Sequence, residues 1–205
     1  MVKIPDFNRA FQDGATLGNN TVIERRVVGE LDLPTGRLVA ADAAFGEENP
    51  FIISLTPGRY PVILSVALMK NDQRVACAML QAQDSNPVVW KPALREEDKA
   101  EDRSGYGVDS ATGCFMDEQT ALIWRERTDD DGFFETVMQQ MSDGHSEVCC
   151  WGNVDLDTQA GHVNAVMFST GYGDGFYRSY WGYTVRGDIA CLVTDFGVLE
   201  PSVEL

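Results

Sequence analysis

Residues 60–82 read YPVILSVALMKNDQRVACAMLQA, two apolar β-rich runs (Tyr60 to Met69 and Gln73 to Ala82) turned by Asn71-Asp72. Each run has strand length, and the Asx pair between them favours reversal, so they read as consecutive antiparallel strands. Just upstream, Phe51 to Leu55 joins Tyr60 through Thr56-Pro57-Gly58-Arg59, a predicted hairpin. Further back, GELDLPTGRLVAAD (29–42) alternates Leu31, Leu33, Leu38 and Ala40 around Pro34-Thr35-Gly36. Glycine after a proline-led turn takes positive φ cheaply, which predicts another hairpin. Downstream, Tyr106 to Phe115 holds a turn at Ser110 to Gly113. His162 to Phe168, Gly175 to Val185 and Asp188 to Phe196 are strands between glycine-rich turns.

Helix is the minority. Asp117 can cap a helix from Glu118 to about Arg127, with acids at its positive end. After Asp131-Gly132, the residues Phe134, Val137, Met138 and Met141 repeat at helical spacing. Leu94 to Arg103 (LREEDKAEDR) is too polar to bury and reads as a solvated helix or a mobile loop. The expected fold is one mainly β domain over residues 1–205, a two-sheet sandwich or distorted barrel. It carries a short helical insertion at 117–142 and a mobile acidic segment at 94–105. One internal echo is visible: Thr35-Gly36 followed by Asp42, and Thr112-Gly113 followed by Asp117. Two hairpins of similar chemistry account for it as well as duplication does.

The chain of 205 residues is 44% apolar, enough for a real core. It holds 32 acidic and 16 basic residues, a net charge of −16. Such a surface repels phosphate backbones and anionic headgroups, so neither nucleic acid nor membrane is an expected partner. A cationic protein is. The N-terminus lacks the apolar core of a secretory signal, and the longest apolar run falls far short of a membrane span. The five cysteines (Cys77, Cys114, Cys149, Cys150 and Cys191) are odd in number and lack C-x-x-C spacing. No disulfide or structural zinc framework is expected, and the compartment is read as a reducing cytoplasm.

Chemistry could sit at Ser169 to Gly175 (STGYGDG), which leads into Phe176, Tyr177, Tyr180, Trp181 and Tyr183. Its bland reading is a strand connection with Asp174-Gly175 as a type I′ hairpin turn. Its functional reading is a loop projecting Asp174 beside Ser169 and Tyr177. The hydrolase elbow fails, because Met167 stands where a glycine is needed. A Ser169/His162/Asp174 arrangement is conceivable on composition alone. A carboxylate pair drawn from Asp174, Asp109 and Asp42, with Tyr177, is the alternative catalytic set. The strand-end acids Asp42, Asp109, Asp117, Asp174 and Asp195 more often make turns than bind metal, and no Ca²⁺-loop spacing occurs. A zinc set of His145, Cys149, Cys150 and His162 is weaker, since adjacent strand residues face opposite ways. No metal and no cofactor are expected. In the aromatic strand, Phe176 and Tyr180 are assigned to the core and Tyr177, Trp181 and Tyr183 to the outside, where a binding row could form.

Five stretches together resemble the DUF4241 family, a bacterial family of uncharacterised function. They are Gly36 to Asp42 (GRLVAAD), Pro57 to Val62 (PGRYPV), Tyr106 to Asp109 (YGVD), Gly113 to Asp117 (GCFMD) and Ser169 to Tyr177 with GYGDGFY. The chain departs from that pattern at Ser169-Thr170-Gly171, where one residue is added. The resemblance spans about residues 29–196 and implies a β-rich fold and occurrence near toxin systems, with no catalytic residues to carry over. The functional expectation is an acidic binding protein, an immunity-type inhibitor or accessory factor of a bacterial toxin system. Glu96, Glu97, Asp98, Asp129, Asp130, Asp131, Tyr177 and Trp181 are its expected partner contacts. The alternative is a hydrolase built around residues 169–175.

Overall fold

The computed structural model describes residues 3–98, 100, 104–128, 130, 132–141, 143–158 and 161–205. The quoted pair of runs forms β5 (Gly58–Leu68) and β6 (Gln73–Gln81), joined by a tight turn in which Met69 N donates to Asp72 O. They lie inside an antiparallel sheet of eight strands. β2 (Thr16–Leu17) and the long β3 (Thr21–Leu33) precede β5 in it, and β14 (Ile189–Asp195), β13 (Gly175–Tyr183) and β7 (Val89–Pro92) follow β6. β8 (Tyr106–Val108) pairs with the start of β13. A second sheet holds β10 (Asp143–Ser146), β11 (Cys149–Thr158), β12 (Gly161–Ser169), β9 (Thr112–Asp117) and β4 (Leu38–Asp42), in that order. β1 (Lys3–Ile4) and β15 (Val203–Glu204) join the two chain ends in a small ribbon.

The architecture is mainly β, with the two sheets packed face to face as a sandwich. Between them lie Leu31, Leu64, Leu80, Trp181 and Leu192 from the large sheet, against Leu38, Ala40, Phe115, Val166 and Phe168 from the small one. Both outer faces are covered as well. α2 (Glu118–Thr128) and α3 (Phe133–Met138) bury Trp124 and Val137 on the small sheet against Val39, Ala41, Cys114 and Met167. α1 (Phe7–Ala10) with Ile4 and Leu199 covers Ala76, Cys77, Tyr180 and Val193 on the large one. Strands wetted on neither face have no reason to alternate, which is why their sequences read as continuous apolar runs.

Several expected hairpins are corrected. β3 and β4 flank Pro34-Thr35-Gly36 but belong to different sheets, so that turn carries the chain across the sandwich. Residues 51–55 form no strand; Phe51 makes an isolated bridge to Arg95, and β5 starts at Gly58. β12 and β13 also lie in different sheets, so Asp174-Gly175 is not a hairpin turn. In each case the turn chemistry specifies a reversal, and inter-sheet burial selects the partner. The polar segment at 94–98 is anchored: Arg95 is 9% exposed, held by Glu47 at 2.6 Å and Asp98 at 3.4 Å. The rest of the expected mobile segment includes 99 and 101–103, outside the described residues. Asp117 does receive Gln119 N at 2.9 Å at the start of α2, as a cap should.

The sheets are fastened along β3 by a side chain acting as backbone. Asn164 of β12, 2% exposed, accepts from Asp32 N at 2.9 Å and donates to Glu30 O at 2.7 Å. That reproduces the donor–acceptor pair of a strand ladder on the side of β3 where, among the described residues, β2 pairs only as far as Val22.

Candidate functional site

The echo in the sequence proves to be an internal two-fold, in a frame different from the one expected. β4 and β9 are antiparallel partners, with Ala40 opposite Phe115, Asp42 opposite Gly113 and Leu38 opposite Asp117. The dyad therefore relates Asp42 to Asp117, and Thr35 to Ser110 rather than to Thr112. Each terminal carboxylate holds the turn that leads into the other strand. Asp117 accepts from Thr35 N at 3.0 Å and Thr35 Oγ1 at 2.7 Å. Asp42 accepts from Asp109 N at 2.6 Å, Ser110 N at 2.9 Å and Ser110 Oγ at 2.6 Å. Each also caps two residues on, at Ala44 N (2.7 Å) and Gln119 N (2.9 Å). The related turn residues Gly36 and Ala111 both have positive φ, 73° and 55°. Sequence reasoning missed Thr35 and Ser110 because it aligned Thr-Gly with Thr-Gly.

Around this clasp the structure does gather the proposed catalytic set. Asp174 accepts from Ala111 N at 3.1 Å, so Asp42, the 109–111 turn and the glycine-rich loop adjoin. Their chemistry is that of a scaffold. Asp42 is 3% exposed and saturated by backbone amides and one hydroxyl, whereas Asp109 and Asp174 are exposed. Tyr177, 8% exposed, donates its hydroxyl to Gly173 O at 2.5 Å, with Thr170 O 3.2 Å away. Burial pushes its pKa up. Gly171 has φ 48°, and a Cβ there would come within 2.6 Å of Phe196 O, so this position requires glycine.

The Ser169/His162 pairing is corrected. His162 lies seven residues from Ser169 along one strand, about 23 Å at the usual rise. It meets Asp155 at 3.2 Å, while Ser169 Oγ accepts from Cys150 N at 3.1 Å. The zinc set is dispersed likewise: Cys149 is buried between the sheets and His145 contacts Glu24 at 3.0 Å. Among the described residues, no three His, Cys, Asp or Glu side chains are grouped to hold a metal. Burial raises the thiol pKa of Cys149 to about 11 and of Cys191 to about 12, which keeps both thiols protonated at neutral pH. Asp195 is pushed up to about 6 by burial, partly offset by its bond from Gly197 N.

The outward aromatic row is also corrected. Tyr177 and Trp181 share a face as expected, but that face is the inter-sheet core, and Trp181 is 1% exposed. Tyr180 packs beneath α1, and Phe176 is the exposed member at 58%. β13 sits inside its sheet with both faces covered, so neither Tyr177 nor Trp181 offers a surface contact. Of the acidic contacts, Glu96, Glu97 and Asp130 are exposed. Asp98 turns inward to Arg95, and Asp129 and Asp131 lie outside the described residues.

A cavity of about 210 Å³ borders the glycine-rich loop, lined by Arg74, Ser110, Cys150, Ser169 and Tyr172 among others. Arg74 lies over the exposed Tyr172 ring at 5.5 Å. Among the described residues, no helix is long and apolar enough to cross a membrane. A family model described as a protein of unknown function (DUF4241) matches residues 31–194. No curated protein and no solved structure matches the chain.

Proposed function

Since the chain belongs to the DUF4241 family, whose description states no activity, we propose that it acts by docking, as an acidic protein that binds a cationic partner. An immunity-type inhibitor or an accessory factor of a bacterial toxin system works in this way. The observation that carries this reading is the charge left over on the surface. The net charge is −16, and Arg26, Arg37, Arg59, Arg74, Arg95 and Arg125 are each tied to an acid of the same chain. These pairs occupy six of the 16 basic side chains, so few cations remain among the acids that face solvent. An acidic surface steers a basic partner and speeds encounter. The hydrolase reading has less support, because Asp42 spends both carboxylate oxygens on the 109–110 turn and its own cap.

The test is co-expression with the product of the adjacent reading frame, followed by association measurements at two salt concentrations. A stable complex with a basic protein, weakening roughly tenfold or more from low to high salt, supports docking. A basic neighbour that fails to associate, or association indifferent to salt, sinks it.

A further inference from the structure

A cavity of about 310 Å³ opens beside α1, on the far side of the large sheet from the sandwich core. It falls at the lower end of the roughly 300–1,000 Å³ typical of small-ligand sites. Phe7, Met79, Trp90 and Ala190 give it apolar walls, with Phe7 and Trp90 in edge-to-face contact at 4.9 Å. Three carboxamides at its rim each spend one N–H on the backbone. Gln83 Nε2 donates to Ile189 O at 2.6 Å, Asn8 Nδ2 to Pro87 O at 3.0 Å and Gln81 Nε2 to Gln83 O at 3.4 Å. Their amide oxygens are left as acceptors. Two charged side chains line the same cavity: Arg25 from β3 and Asp84 from the loop after β6. Among the described residues, neither side chain has an ion-pair or hydrogen-bond partner. An arginine and an aspartate on one cavity, each without a partner, leave both signs of charge to be met from outside.

We propose that this cavity binds a free α-amino acid with an apolar side chain. Arg25 would take the carboxylate through its fork of N–H donors. Asp84 and the amide oxygens would receive the three donors of the ammonium group. The Phe7, Met79 and Trp90 walls would bury the side chain. An anion alone leaves the Asp84 carboxylate unanswered, and a neutral sugar neutralises neither charge. The site is separate from the acidic docking surface, so it stands or falls independently of that reading.

The whole chain is titrated calorimetrically with L-leucine and L-phenylalanine. Leucinamide and N-acetyl-leucine, each lacking one charge, serve as analogues. At least one free amino acid binds saturably, and each analogue binds about tenfold weaker or worse. Arg25→Met and Asp84→Asn, both on side chains outside the core, lose the same factor while melting as the parent does. No binding at several millimolar, equal binding of the analogues, or displacement by glucose overturns the assignment.

Discussion

Asp42 accepts four hydrogen bonds and Asp117 three, most of them from backbone amides, and both carboxylates are themselves buried. Removing one carboxylate strands several donors at once, so Asp42→Ala should cost about 3–5 kcal/mol of stability. Urea denaturation measures this, and a loss below about 1 kcal/mol would contradict the clasp. The two related turn positions respond oppositely to substitution. Ala111 sits at φ 55°, where a side chain is strained, so Ala111→Gly should be neutral or gain up to about 1 kcal/mol. At Gly36 an added Cβ would lie 2.1 Å from Leu55 O, so Gly36→Ala should unfold the turn and lower the melting temperature steeply. At Asp195, folding raises the carboxyl from its ordinary 3.8 to about 6. Its stabilising contribution is complete below the lower value and is lost as pH rises through the upper one. Asp195→Asn should therefore stabilise the protein at pH 7.5, by about 1–3 kcal/mol, with the gain fading as pH falls towards 4. A constant gain at every pH would rule out burial of the charge as the cause. The acids themselves were visible in the sequence as strand-end residues. What each of them holds was not, because Thr35 and Ser110 lie 82 and 68 residues away from their carboxylates.

Several strand extents were legible, as was the β5–β6 pairing, whereas the reach of β3 back to Thr21, the whole of β11 and the sheet that each of β4 and β13 joins were not. The runs at 60–69, 73–82, 162–168, 175–185 and 188–196 all became strands, since continuous β-branched and aromatic residues suit a pleated surface buried on both sides. The same two-sided burial defeated the face assignment on β13. Parity correctly grouped Tyr177 with Trp181 and opposed them to Tyr180, but it cannot name an inner face when both are inner. Helices α2 and α3 were recoverable from a cap and a spacing, both local signals. Asn164 was overlooked because nothing in its neighbourhood announces that β12 must bind β3. Asn164→Leu leaves Asp32 N and Glu30 O without that partner, and a loss of about 1–3 kcal/mol should follow. Faster hydrogen exchange at the Asp32 amide, relative to those in β6, is the sharper readout.

For the molecule as a whole, composition spoke most directly to surface chemistry and least to mechanism. An excess of acids was plain from counting, whereas the cavity beside α1 draws on residues from 7 to 191 and has no linear signature. The reciprocal clasp has one further outcome. Thr35 and Asp42 belong to the first part of the chain, Ser110 and Asp117 to the second, and β6 pairs across the same divide with β14. Cutting the backbone at the exposed Ser85-Asn86 bond should leave two pieces that are each incompetent alone yet reassemble when mixed. Such a divided chain would serve as a complementation reporter, its recovered signal tracking how well two half-clasps find one another.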